Sequence, residues 1–229
     1  MDTPLGAPAP PGLPQPLPGG EAALIGLAVL VVVMVPFLWP VARHFNLMAH
    51  EGAHALFAFA LGFELENVIL RRETGATKFG YASITGLALR WIVVAIAGYL
   101  GPSLFGLGAA KLIEAGRVIA VLWVAIILLV LLFFLIGRSL GLISVPVAIL
   151  LLVLATRYTH AGLEEVVVYA MTWLLLLSGL RFAIAHGIDA EDAAALRDRT
   201  HLPRRFWSLL WIAGALLAVG IGGKWMIIG

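Results

Sequence analysis

The sequence predicts an all-α protein: a polytopic membrane bundle of about six to seven transmembrane helices, with a small β-hairpin at 64–85. Three observations point there. Of 229 residues, 62% are hydrophobic and 12% charged, whereas soluble domains carry about 25% charged residues. The apolar residues come in long blocks, and the charges fall between them. One stretch, around Thr74-Gly75, breaks this pattern with short Val/Ile/Leu/Tyr/Thr patches on either side of a turn. The lipid bilayer is therefore the expected solvent for most of the chain.

Residues 1–21 are rich in Pro and Gly and read as a disordered tail, because such a composition buries too little apolar surface to fold. No Lys or Arg precedes the first apolar run, so a cleavable signal is not expected there. Residues 22–229 form the integral membrane domain. A spanning helix needs about 20 mostly apolar residues. Ala22–Ala42, Trp91–Ala110 and Val118–Gly137 qualify, as do Glu165–Ala185 and Phe206–Ile228. Leu140–Thr156 is shorter and can span with snorkelling ends. Asn46–Gly62 is apolar apart from His50, Glu51 and His54 and contains no Pro, so it should be helical. The hairpin at 64–85 should avoid lipid, because its edges carry unpaired backbone groups. It either connects helices or pairs by its edge with an unwound substrate strand. The polar stretch 186–205 reads as a surface helix. Arg and Lys weigh towards the side holding the N-terminus, which places that terminus in the cytoplasm.

Several functions are excluded by composition. The net charge is +2 and the basic residues are scattered, so no nucleic-acid surface is expected. The chain has no Cys, which removes thiol chemistry, disulfides and cysteine-ligated metal. A transporter would show internal repeats, and none is visible. His44, His186 and His201 lie at segment ends and read as interfacial, Trp207, Trp211 and Trp225 as interface anchors, and Pro40 and Pro146 as kinks. Gly98, Gly101, Gly106 and Gly108 suit close helix packing and can also let a helix approach the segment that carries the histidines.

His50-Glu51-Gly52-Ala53-His54 is an HExxH sequence. Residues four apart lie on one face of a helix, so both imidazoles can share one Zn2+. Glu51 then sits where a general base works on a zinc-activated water. Ionisable groups inside an apolar segment are costly, about 2.5–3.5 kcal/mol for a central charge, and are seldom carried without a use. The bland alternative is an interhelical hydrogen-bond cluster.

These residues resemble the M50 peptidases, the site-2-protease type of intramembrane metalloproteases, and in particular the M50B-like branch. The resemblance rests on HEGAHALFAFALGF at 50–63, Gly75-Ala76-Thr77 in the hairpin, AIAGYLGPSLFG at 95–106 and EDAAALRDRTHLPRRFW at 191–207. It implies an intramembrane zinc endopeptidase with Glu51 as catalytic base, His50 and His54 as metal ligands, and a third ligand from a later segment. That third ligand is typically an aspartate before Gly. No Asp-Gly occurs here; the nearest match is Asp192-Ala193, with Asp189 in reserve. Counting segments places His50 and Asp192 towards opposite membrane sides, which keeps Glu164, Glu165 and His160 open. The resemblance further implies a membrane-anchored protein substrate, such as an anti-sigma factor or another membrane regulator. The Ala/Leu/Arg-rich composition leans towards a bacterial plasma membrane. The alternative is a proteolytically inactive membrane protein that binds metal or a partner. A carboxylate from 186–198 within ligand distance, about 2.0–2.2 Å, of zinc held by His50 and His54 would discriminate between the two.

Overall fold

A computed structural model describes residues 15–62, 88–135, 141–158 and 162–229. Eight helices occur among them: α1 Gly19–Met34, α2 Trp39–Ala60, α3 Ala88–Glu114, α4 Val118–Leu135, α5 Gly141–Tyr158, α6 Leu163–His186, α7 Glu191–Thr200 and α8 Arg204–Ile227. No strand occurs among the described residues; the hairpin expected at 64–85 lies outside them, as does most of the tail. Helix α1 begins at Gly19, inside the stretch expected to be tail. Hydrogen bonds from the Gln15 amide to Glu165 and from the Leu17 amide to Tyr169 tie its entry to α6.

The apolar run Ala22–Ala42 is not one straight helix. Helix α1 stops at Met34, and the chain turns by 102° into α2. Proline chemistry explains the break. Pro36 pushes Val35 out of the helical region, and Val35 is indeed extended, at φ −71° and ψ 124°. Pro40 then sits in the first turn of α2, where its missing N–H costs nothing. The helix expected at Asn46–Gly62 consequently starts earlier, at Trp39.

Three helices are long and apolar enough to cross a membrane, α3 (from Leu89), α6 and α8, and the bent α1–α2 pair can make a fourth. Six to seven had been expected. The apolar parts of α4 and α5, Val118–Phe134 and Ile143–Thr156, are shorter than the about 20 residues typical of a span, and the stretch 136–140 between them lies outside the described residues. Polarity is inverted relative to a water-soluble fold. Phe37 and Phe134 are 79% and 78% exposed, while Asn46, His50, Glu51, His54, Ser103 and Ser178 are buried. Together these features describe an integral membrane protein.

Helix α3 is the hub and packs on α2, α6 and α8. Its small residues permit this. A Cβ at Gly101 would overlap the Ala53 side chain, and one at Gly106 would lie 2.8 Å from Leu176. Helix α7 rests on α8 and α3, with Ala193 and Leu196 buried beside Trp207 and Trp211. That docking carries the first turn of α7 inward.

Candidate metal centre

Helix α2 presents His50 and His54 on its inner face, 2% exposed each. Their Nε2 atoms lie 3.2 Å apart, too close for a comfortable unmediated contact between two lone-pair-bearing nitrogens. The ring of His54 is fixed by its other nitrogen, which lies 2.8 Å from the Val94 carbonyl of α3 and donates to it. That bond puts the proton on the other nitrogen and turns the Nε2 lone pair towards His50 and Asp192, the arrangement metal-bound histidines favour. A different restraint holds His50. Its Nδ1 makes no hydrogen bond, and its ring is clamped edge-on by Tyr99 at 4.9 Å and Phe182 at 5.7 Å. Tyr99 in turn stacks on Trp211 at 4.2 Å. One imidazole is thus oriented by a hydrogen bond and the other by aromatic packing.

Asp192 enters from the first turn of α7. Its Oδ2 stands 3.6 Å from His50 Nε2 and 3.3 Å from His54 Nε2. Burial alone would push this carboxyl up, but His54 and His50 outweigh it and hold it below the ordinary carboxylate range. Among the described residues, His50, His54 and Asp192 form the group of three that could hold a metal ion. Its geometry can be tested against zinc. Bonds of about 2.0–2.1 Å in a tetrahedron require ligand atoms about 3.3–3.4 Å apart. The three observed separations, 3.2, 3.3 and 3.6 Å, bracket that edge. Two imidazole nitrogens and a carboxylate oxygen are also the donor chemistry of a catalytic zinc site.

Glu51 is 1% exposed, its Oε2 has no hydrogen-bond partner, and its charge acts on His54 and is acted on by Asp192. Asn46, one turn before His50, accepts a hydrogen bond from Ser178 at 3.1 Å and ties α2 to α6.

The other carboxylates considered lie apart. Asp189 is exposed beyond the end of α6. Glu164 and Glu165 occupy the first turn of α6, at the far end of that helix from His50's partner Phe182, where Glu165 receives the Gln15 amide. His160 lies outside the described residues. The packing of α7 on α3 and α8 brings Asp192 to the histidines of α2. Of the histidines expected at interfaces, His201 is exposed, whereas His186 is half-buried and stacks on Phe182 at 4.8 Å. An apolar cavity of about 800 Å³ flanks the opposite face of α2, at Met48, Gly52 and Leu56, and none of the four site residues lines it.

Gly98 belongs to the site as well as to the packing. A Cβ there would fall on His54 Nε2 itself, whereas one at Gly108 would meet nothing within 4 Å. Gly98→Ala is therefore expected to cost roughly 10–100-fold in metal affinity, the range seen when a ligand's support is disturbed. Gly108→Ala should leave affinity unchanged. Competition with a zinc-binding dye measures both, and equal affinities in the two variants would show that α3 does not constrain His54.

Fold and site define a class: an integral membrane protein with a His–His–carboxylate cluster beside a buried glutamate. Residues 23–222 match the Peptidase M50B-like family, and the chain belongs to that family of peptidases. No curated protein and no solved structure matches it.

Proposed function

We propose that the protein is an intramembrane zinc endopeptidase, crossing a bacterial plasma membrane several times and hydrolysing a peptide bond of a membrane-anchored protein. The observation that carries this reading is the trio of ligand atoms at tetrahedral-edge spacing, with Glu51 on the next position of the same helix. His50, His54 and Asp192 would hold the ion. Zinc, when bound, polarises the scissile carbonyl and acidifies a water.

The chain's own residues supply the rest. The Glu51 carboxylate takes the proton of the attacking water and returns it to the leaving amide nitrogen. The Val94 carbonyl holds the His54 tautomer, and Tyr99 with Phe182 holds the His50 ring. Burial of α2 within the bundle keeps bulk water from the site, which strengthens each electrostatic contact there. The inactive alternative drew its support from the missing Asp-Gly. Asp192 standing within 3.6 Å of both imidazoles favours the catalytic reading over it.

The test is cleavage of a single-span reporter protein in proteoliposomes. Cleavage should cease when zinc is stripped by a chelator and return when zinc, but not magnesium, is restored. Cleavage that persists in the stripped protein would sink the proposal.

A further inference from the structure

Two guanidinium groups near the metal centre take no part in the chemistry above. Arg43 lies on α2 seven residues before His50, and so on the same helical face about two turns away. Arg181 projects from the last turns of α6, and its Cζ stands 4.1 Å from the centre of the Trp39 ring. Trp39 is one turn before Arg43, so the two cations flank the same stretch of α2. Both are half-buried, and Arg43 Nε and Arg181 Nη1 are buried with no hydrogen-bond partner. Neither has a carboxylate within 4.0 Å among the described residues.

The two charges share a neighbour. Both act on the His186 imidazole, and Arg43 also acts on the Tyr99 hydroxyl. Tyr99 is the ring that touches His50. The exposed apolar positions of this part of α2 are others, Val41 and Phe45. Asp189 is the acid that shares the region; it is exposed and outside ion-pair distance of both arginines.

Buried guanidinium atoms without partners are costly. Arginine pairs best with carboxylate, through its planar fork. We propose that Arg43 and Arg181 form an anion-recognition site that receives an acidic side chain of the peptide substrate. Seven helical residues advance about 10 Å, and an extended peptide advances about 3.3 Å per residue. The acidic residue therefore stands about three positions from the scissile bond. This inference rests on the peptidase reading and adds a substrate class to it: membrane proteins with Asp or Glu near the cut.

The experiment uses the full chain, zinc-loaded, in phosphatidylcholine nanodiscs. A Glu51→Gln background keeps peptides uncut. The probes are fluorescent, C-terminally amidated single-span peptides carrying Asp or Glu at scanned positions, with Asn/Gln analogues. Acidic peptides should bind roughly tenfold tighter than their amide analogues, as a charge-assisted pair implies. Arg43→Gln and Arg181→Gln should each erase that preference with zinc content unchanged. Arg181→Glu should transfer the preference to Lys-bearing peptides. Equal or absent binding of the two peptide types overturns the proposal, and so does a preference that survives both substitutions. An effect seen only with phosphatidylglycerol, and alike for all peptides, would make this a lipid-headgroup site and also overturns it. Cleavage of the same peptides by the Glu51-containing protein reports separately on the peptidase reading. An intact acid preference without cleavage would remove that reading and leave the anion site standing.

Discussion

Detergent-purified protein is expected to carry about one zinc per chain, and His54→Ala and Asp192→Ala are each expected to lose it, while Asp189→Ala keeps it. The three candidate ligand atoms come from two elements far apart in sequence, α2 and α7, and meet with separations of 3.2, 3.3 and 3.6 Å. Removing any one leaves two donors, too few to hold zinc against dilution. The loss in affinity should exceed the roughly 100-fold that follows disturbance of a ligand's support alone. Asp189 serves as the control, because it lies three residues away, is exposed, and stands outside the cluster. Elemental analysis measures the outcome, with helical content by circular dichroism as the check that each variant is folded. Zinc retained by Asp192→Ala would place the third ligand elsewhere. A zinc-free wild type would reduce the imidazoles to a packing cluster. The same competition sets a pH limit. Protons displace metal as ligands titrate, and the Asp192 carboxyl is held below the ordinary carboxylate range. Metal should therefore be released on acidification as the two imidazoles take up protons, because an imidazole is ordinarily more basic than a carboxylate.

The two histidines were legible in the sequence because their spacing is local: residues four apart share a helical face, whatever surrounds them. The helices were legible for a similar reason, since apolar blocks between charges report burial or lipid contact directly. What was not legible is where a block breaks. Hydropathy scores Pro36 as one more weakly polar residue, while sterically it expels Val35 from the helix and turns the chain by 102°. Ala22–Ala42 therefore looked like one straight helix. Asp192 could be reached by resemblance only. No local pattern links α7 to α2, and the contact depends on how Ala193 and Leu196 bury against α8. The clamp around His50 escaped for the same reason. Tyr99, Phe182 and Trp211 come from three helices, and each alone reads as an ordinary apolar-segment aromatic. Gly98 gave a partial signal, as a small residue next to an aromatic one, but its partner, the His54 imidazole, is visible in three dimensions alone.

Glu51→Gln should abolish hydrolysis and leave the metal centre intact, separating the proton-transfer role from the ligand set. The substitution is nearly isosteric and removes one charge. Glu51 is 1% exposed with Oε2 unpartnered. A glutamine amide there meets no clash and breaks no existing bond of that oxygen. It cannot accept a proton from water in the way a carboxylate does. General-base catalysis contributes typically about 10²–10⁴-fold, so the turnover of the single-span reporter should fall by that factor with zinc content at the wild-type level. The substrate should still bind, because the groups that would hold it are untouched. This sets the variant apart from His54→Ala, which loses metal and turnover together. Undiminished turnover in Glu51→Gln would show that another group takes the proton, and the assignment of the second HExxH residue as base would fall. Loss of zinc along with turnover would instead mean that the buried carboxylate's charge stabilises the ion. The base assignment would then need Glu51→Asp, which keeps the charge and withdraws the carboxylate by one methylene: turnover should drop sharply there while zinc remains, because a displaced base fails at its proton even where its charge still serves the metal.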